Sequence, residues 1–203
     1  AGNSTPAFGH QITFKPNSKT TLNSSSFIGS DTPDSTRLMR YFHNLYGIFQ
    51  ISGRAGLIAG FDIGAQQSGL RDGSFHIWYT PVVIAQIKTS KKVRLALRGE
   101  YYQDAQGVII VTGTPNGFRT FGYSANIDYQ MAANAVWRVE GRGFRSKDAI
   151  FEWNNEWIPV DKIHLNVTVT KDACTKTIGL IHVREREAVA KVNVETESGV
   201  SSV

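Results

Sequence analysis

The 203-residue chain lacks any run of about 18 apolar residues, the length that a membrane-spanning helix needs. Membrane strands are not excluded, because they need only about 9–11 residues of alternating character. Its single cysteine, Cys174, excludes an internal disulfide. Hydrolase, kinase, P-loop, zinc and dinucleotide motifs are missing, and the five histidines do not have metal-ligand spacing. We therefore expect no enzymatic activity, no catalytic residues, no metal and no cofactor.

Charge is sparse and spread along the chain. Charged residues make up 19% of the sequence, with 22 Lys and Arg against 17 Asp and Glu. The first 150 residues carry a net charge of +7 and the remaining 53 carry −2. The basic residues do not cluster in one stripe, as they would in a nucleic-acid-binding protein. We expect no nucleic-acid partner.

What the sequence does contain is alternation of apolar and polar residues, clearest in residues 93–101, 121–131 and 135–143. In a strand, successive side chains point to opposite faces. Leu95 and Leu97 are therefore expected on one face, with Arg94 and Arg98 on the other. Aromatic and aliphatic residues facing one way and charges the other are typical of a transmembrane β-barrel. Any half-buried antiparallel sheet would alternate in the same way.

Eight such strands are predicted up to residue 145. Three further predicted strands follow, in a part of the chain that is rich in Val, Thr and Lys. Short polar turns alternate with longer loops rich in Gly, Asp, Ser and Pro, as in an up-and-down barrel. The predicted fold is therefore all-β, an antiparallel up-and-down β-barrel of about 8–10 strands with short turns on one side and longer loops on the other. The predicted strands are Gly9–Lys15, Thr20–Ile28, Leu38–Ile51, Gly56–Gln66, Ser74–Lys88, Val93–Gln103, Phe118–Met131, Ala135–Arg145, Lys162–Thr170, Thr177–Val183 and Ala188–Glu195.

Seven ionisable residues fall on the polar side of three consecutive predicted strands. If those strands are neighbours, the seven side chains share one surface, which could be a charged lumen that sets ion or solute preference. It could equally be the solvated face of a soluble sheet, or the interior of a narrow barrel filled by salt bridges. The candidate lumen-lining and selectivity residues are Arg94, Arg98, Glu100, Asp128, Arg138, Glu140 and Arg142.

Four segments, residues 39–47, 59–64, 97–102 and 137–142, resemble the outer-membrane β-barrel porin family of Bacteroidetes type. The resemblance covers about residues 8–151 and corresponds to the C-terminal half of such proteins. It implies transmembrane β-strands, an outer-membrane location and passive transport of small polar solutes or ions through a charged lumen. The implied partners are the lipid bilayer and the solutes.

The end of the chain departs from this family, because residues 161–203 are rich in Val, Thr and Lys and do not end in an aromatic strand. We predict a porin-like barrel region over residues 1–158 and a β-rich extension over residues 159–203.

Two alternatives stay open. About eight strands close a barrel that side chains fill, so a pore would need more strands, from additional sequence or from a homo-oligomer. A closed structural or adhesive outer-membrane barrel is therefore one alternative. The other is a soluble β-sandwich or lipocalin-like binding module, in which Leu95, Leu97 and Phe121 would face a core or ligand cavity. Exposed apolar rows would favour a membrane barrel, and mutually buried rows would favour a sandwich.

Overall fold

The computed structural model describes residues 2–70, 73–153, 156–159, 163–171, 174–184 and 187–193. These residues form thirteen β-strands, with one short 3-10 helix, Asp34–Thr36, as the helical segment of the described chain. No helix among them is long and apolar enough to cross a bilayer. The strands are β1 (Phe8–Asn17), β2 (Thr20–Gly29), β3 (Arg40–Gln50), β4 (Ala55–Gln67), β5 (Phe75–Lys88), β6 (Val93–Asp104), β7 (Phe118–Ala132), β8 (Ala135–Ser146), β9 (Phe151–Trp153), β10 (Glu156–Ile158), β11 (Ile163–Lys171), β12 (Cys174–Arg184) and β13 (Glu187–Asn193).

Eleven strands form one antiparallel sheet in the order β1-β2-β3-β4-β5-β6-β7-β8-β11-β12-β13. The predicted all-β, up-and-down arrangement is confirmed. Within the described residues, β1 and β13 are the two edges of this sheet and do not pair with each other, so the sheet is open. Closure into a barrel stays a prediction.

Strands β9 and β10 pair with each other in a separate hairpin, within the connection from β8 to β11. The sequence predicts no strand between Ala135–Arg145 and Lys162–Thr170. Each of these strands has three residues, which is too short for alternation to be visible in the sequence.

Connections alternate in length along the first eight strands. Residues 18–19, 51–54, 89–92 and 133–134 form short turns at one end of the sheet, which we call the turn side. The connections from β2 to β3, from β4 to β5 and from β6 to β7 are longer and lie at the other end, the loop side. Beyond β8, strand β11 pairs directly with it, so the sheet continues past residue 158. The division into regions 1–158 and 159–203 itself stays a prediction.

The turn-side ends of the strands are staggered. Gly9 of β1 and Phe118 of β7 lie in one cross-strand row, which runs through Phe27, Phe42, Gly64, Trp78 and Asp104. Asn17 ends β1 eight residues beyond Gly9, whereas Ala132 ends β7 fourteen residues beyond Phe118. The end therefore advances by one residue per strand on average. A rise of about 3.4 Å per residue and a strand spacing of about 4.8 Å give the angle that corresponds to this stagger. The strands incline by about 35° from the normal to the line through their turn-side ends, as in barrel walls.

The two faces of the sheet differ sharply in chemistry. We call the face that bears Leu97 the apolar face and the face that bears Arg98 the polar face. Large side chains on the apolar face are exposed, among them Ile12, Leu45, Phe61, Val83, Leu97 and Ile127. Buried polar residues, by contrast, include Asn23, Asp104, Thr120, Ser124 and Asp128. This is the reverse of a soluble protein, in which apolar side chains are buried and polar side chains are solvated.

The soluble β-sandwich does not fit this arrangement. In the described part of the chain, the strands of the large sheet contact their neighbours in that sheet and no second sheet covers its apolar face. Leu97 is 63% exposed and Phe121 is 48% exposed. The apolar rows are therefore not buried against each other.

Candidate functional site

The seven candidate residues all lie on the polar face of three adjacent strands. Strands β6, β7 and β8 are neighbours in the sheet, as the prediction required. Directly paired residues point to the same side of a sheet, and Arg94 pairs with Asp128, which pairs in turn with Arg138. The structure thus brings the seven side chains onto one continuous surface, which we call the charged ladder. That it lines a lumen stays a prediction.

Glu100 is the centre of the larger ion-pair group. Nε of Arg98 donates to Oε2 of Glu100 at 3.2 Å, and Nη2 of Arg142 donates to Oε1 at 2.7 Å. The Glu100 side chain is 14% exposed, whereas those of Arg98 and Arg142 are 39% and 37% exposed. One shielded carboxylate therefore holds two guanidinium groups that still face solvent, and the group carries a net positive charge.

This group depends on a glycine. Arg142 lies two strands from Glu100, and the residue opposite Glu100 on the intervening β7 is Gly122. A Cβ at Gly122 would lie 2.8 Å from Oε1 of Glu100 and 3.1 Å from Cδ1 of Phe144. The bare backbone leaves the gap through which Arg142 reaches the carboxylate.

A second ion pair joins β7 and β8. Nε and Nη2 of Arg138 donate to the two carboxylate oxygens of Asp128 at 2.6 and 2.7 Å. The side-chain amide of Asn126 also donates to Asp128, at 2.9 Å. A bidentate arginine–carboxylate pair of this kind fixes both side chains in one geometry.

Two candidates are on the ladder but outside these pairs. Within the described chain, neither Arg94 nor Glu140 has an oppositely charged atom within 4.0 Å. Arg94 lies directly opposite Asp128, whose oxygens are both engaged by Arg138. Glu140 lies opposite Asn126.

A second polar group on the same face was missed from the sequence. At the loop-side end of β3–β5, the guanidinium of Arg40 donates to Oε1 of Gln66 at 2.6 and 2.8 Å and lies 5.7 Å from the ring of Trp78. Nearby, the amide of Asn44 donates to Asp62. The three charged or amide side chains of this group occupy polar positions in the apolar–polar alternation of β3 and β4: Arg40, Asn44 and Asp62. The same alternation that identified the ladder could therefore have identified them.

The chain matches a family model over most of its length. Residues 1–169 match the family model described as "Putative beta-barrel porin-2, OmpL-like". The chain belongs to this family. No curated protein and no solved structure is significantly similar to it. The family assignment confirms the resemblance to β-barrel porins and extends it from about residues 8–151 to residues 1–169, a range that ends within β11.

The loop-side connection from β6 to β7, residues 105–117, begins at a buried carboxylate. Asp104, which is fully buried, accepts hydrogen bonds from the backbone N–H groups of Val108, Ile109 and Ile110 at 2.9, 2.7 and 2.9 Å. This carboxylate satisfies three donors of residues 105–117 and so orders the start of that loop.

Asp148 fixes the other end of the same loop. It accepts from the backbone N–H of Asn116 at 2.9 Å and from its side-chain amide at 2.7 Å. These hydrogen bonds hold the pKa of Asp148 below its usual value. The connections that follow β6 and β8 are thereby joined at the loop side.

Proposed function

We propose that this chain forms the wall of an outer-membrane porin that conducts small polar solutes or ions passively. One observation carries the proposal: a single sheet exposes its apolar side chains and shelters its polar ones. Lipid would solvate the first face, and water in a lumen the second. Membership of a β-barrel porin family supports the same function.

In this proposal the charged ladder sets ion preference. Arg98, Arg138 and Arg142 are each more than a third exposed, whereas their partners Glu100 and Asp128 are shielded. A passing ion would therefore meet guanidinium groups before carboxylates. Such fixed charges along a pore favour ions of opposite sign, so we propose a preference for anions.

We also propose that the edges of the sheet are paired in the membrane. Unpaired backbone N–H and C=O groups are costly in hydrocarbon, so a spanning sheet has no free edge there. Pairing of β1 with β13, or pairing with other strands in a homo-oligomer, would meet this requirement.

The membrane placement is tested by introducing one charge on each face of β6. Leu97→Arg puts a cation on the apolar face, where it should destabilise the inserted protein by about 2–4 kcal/mol if it lies near the midplane. Ala96→Arg, the adjacent position on the polar face, is the matched control. Folding yield into liposomes should fall for Leu97→Arg and change little for Ala96→Arg. Equal yields would contradict a lipid-facing apolar face.

Conduction is tested by ion selectivity in planar bilayers. Arg98→Glu should shift the reversal potential in a salt gradient towards cation preference, and Arg98→Gln should shift it by less. Arg145→Glu is the control, because Arg145 pairs with Phe121 on the apolar face and should leave the potential unchanged. Conductance with unchanged selectivity would remove Arg98 from the pore. Folded, inserted protein without conductance would favour the closed structural or adhesive barrel.

A further inference from the structure

A cavity of about 350 Å³ opens at the turn side, next to the turn from β5 to β6. Its cationic lining residues are Lys88, Lys91, Lys92 and Arg94, and its acidic one is Asp128. A second cavity of about 130 Å³ shares Lys88 and Arg94 with the first and adds Arg54. Five cations thus surround two adjoining spaces. We call this the basic rim.

Two of these cations oppose each other directly. Lys88 at the end of β5 pairs with Arg94 near the start of β6, and both lie on the polar face. Side chains directly opposite on antiparallel strands have their Cβ atoms about 4.5–5.5 Å apart, and like charges at that spacing are destabilising. A sheet that places lysine opposite arginine gains stability from an anion between them.

The protein supplies this pair with one anion, Asp128, which lies opposite Arg94 on β7 and is shared with Arg138. Asp128 is the acidic side chain of the cavity lining, and Arg138 engages both of its oxygens. Among the described residues, no carboxylate lies within 4.0 Å of the side-chain nitrogens of Lys88, Lys91 or Lys92. The ammonium of Lys92 lies 6.0 Å from the ring of Tyr129, a residue of the apolar face.

We propose that the basic rim binds an oxyanion, a solute that carries a phosphate or carboxylate group. Lysines supply compact charges to such a group and arginine supplies paired N–H donors. Lys88 and Arg94 project from the polar face, away from the exposed apolar side chains, which favours a dissolved solute over a lipid headgroup. The proposal rests on the proposed function only for placing this site at a pore mouth.

Binding is tested with the full chain in detergent, by calorimetric titration with inorganic phosphate at low ionic strength, where screening is weak. The double variant Lys88→Gln/Arg94→Gln should bind phosphate roughly tenfold more weakly, because it removes two charge-assisted hydrogen-bond donors. Lys15→Gln/Lys19→Gln removes the same charge from the turn side outside both cavities and should bind as the unaltered chain does. Unchanged affinity in the first variant, or equal weakening in both, would overturn the proposal.

Two further measurements cover a first variant that does not fold and a lipid headgroup as the bound group. If Lys88→Gln/Arg94→Gln does not fold, Lys91→Gln/Lys92→Gln alters the exposed turn of the same cavity and should also weaken phosphate binding. In phosphatidylcholine nanodiscs, added phosphatidylglycerol should leave phosphate binding unchanged. Competition by that lipid would assign the rim to a headgroup and overturn the solute site.

Conduction in planar bilayers separates this proposal from the porin function. Phosphate binding without conductance would keep the basic rim and remove the pore. Conductance without phosphate binding would do the reverse.

Discussion

The polar face is built differently in two regions of the same sheet. In β6–β8 it carries the charged ladder, whose side chains pair across strands. In β3–β5 the turn-side half of the same face carries Ile48, Ile58 and Ile84, which are neighbours in one cross-strand row. Val82 lies one alternate position along β5, opposite Gly60. One region is lined by paired charges, and the other by aliphatic side chains, of which Ile48 is 39% exposed.

The difference between the two regions comes from the cross-strand register and not from the alternation along each strand. Alternation assigns each residue to a face, but the chemistry of that face is set by what lies opposite in the register. In β3–β5, glycines admit large neighbours: a Cβ at Gly60 would lie 3.0 Å from Cγ1 of Val82. In β6–β8, Gly122 admits an ion pair instead. The same small residue therefore admits an aliphatic neighbour in one region and an ion pair in the other.

Adding one methyl group to a glycine in each region should separate these two roles most strongly. A Cβ at Gly64 would overlap the indole of Trp78, which is 4% exposed, so Gly64→Ala should cost about 1–3 kcal/mol through overpacking. Gly122→Ala meets the movable end of Glu100 and should cost about 1 kcal/mol. Gly99→Ala, whose nearest neighbour would be 3.9 Å away, should change stability by less than about 0.5 kcal/mol. Guanidinium unfolding in detergent measures all three, and equal costs would contradict the comparison.

Neutralising one acid of the ladder should have a smaller effect. Glu100→Gln leaves Arg98 and Arg142 without their shared carboxylate and should lower the free energy of unfolding by about 1 kcal/mol, since both arginines are partly solvated. Glu140→Gln is the same change on the same face at a position outside the ion pairs. Its effect should be nearer zero, and salt should reduce only the Glu100 effect. A larger loss for Glu140→Gln would show that the pairs do not stabilise the ladder.

The smallest effect concerns the loop-side connections next to each region. Hydrogen bonds from Ser4 lower the pKa of Asp34, and those from Asn116 lower the pKa of Asp148, relative to the usual 3.8. Because the pKa is lowered in the folded state, these contacts stabilise the loops fully above the usual pKa of 3.8. The stabilisation is lost as the pH falls through the lowered pKa. The amide resonances of Ser4 and Asn116 should therefore shift with a titration midpoint below pH 3.8.

Asp148→Asn provides the control for this titration. It should abolish the shift at Asn116 and leave the shift at Ser4. A transition at Asn116 that persists in Asp148→Asn would mean that another group titrates there.

Much of the fold was predictable because its signals are local. Alternation and turn residues depend on neighbours in sequence, and they located all eleven strands of the sheet and the shared surface of the ladder. Partner choice was less predictable. The pair between Glu100 and Arg142 crosses an intervening strand, and the arrangement of Arg40 with Trp78 requires the register of β3, β4 and β5. The three-residue strands β9 and β10 gave no periodic signal.

The bidentate pair of Asp128 with Arg138 also restricts the register in which β7 and β8 can pair during folding. A slip of one residue would move Arg138 to the apolar face, so the alternation itself disfavours it. A slip of two residues keeps every side chain on its proper face, and only specific contacts penalise it. Such a slip would place Arg138 opposite Asn126 or Gln130, both neutral. The ion pair thus favours the native register of β7 and β8 over a two-residue shift that the apolar–polar alternation alone would allow.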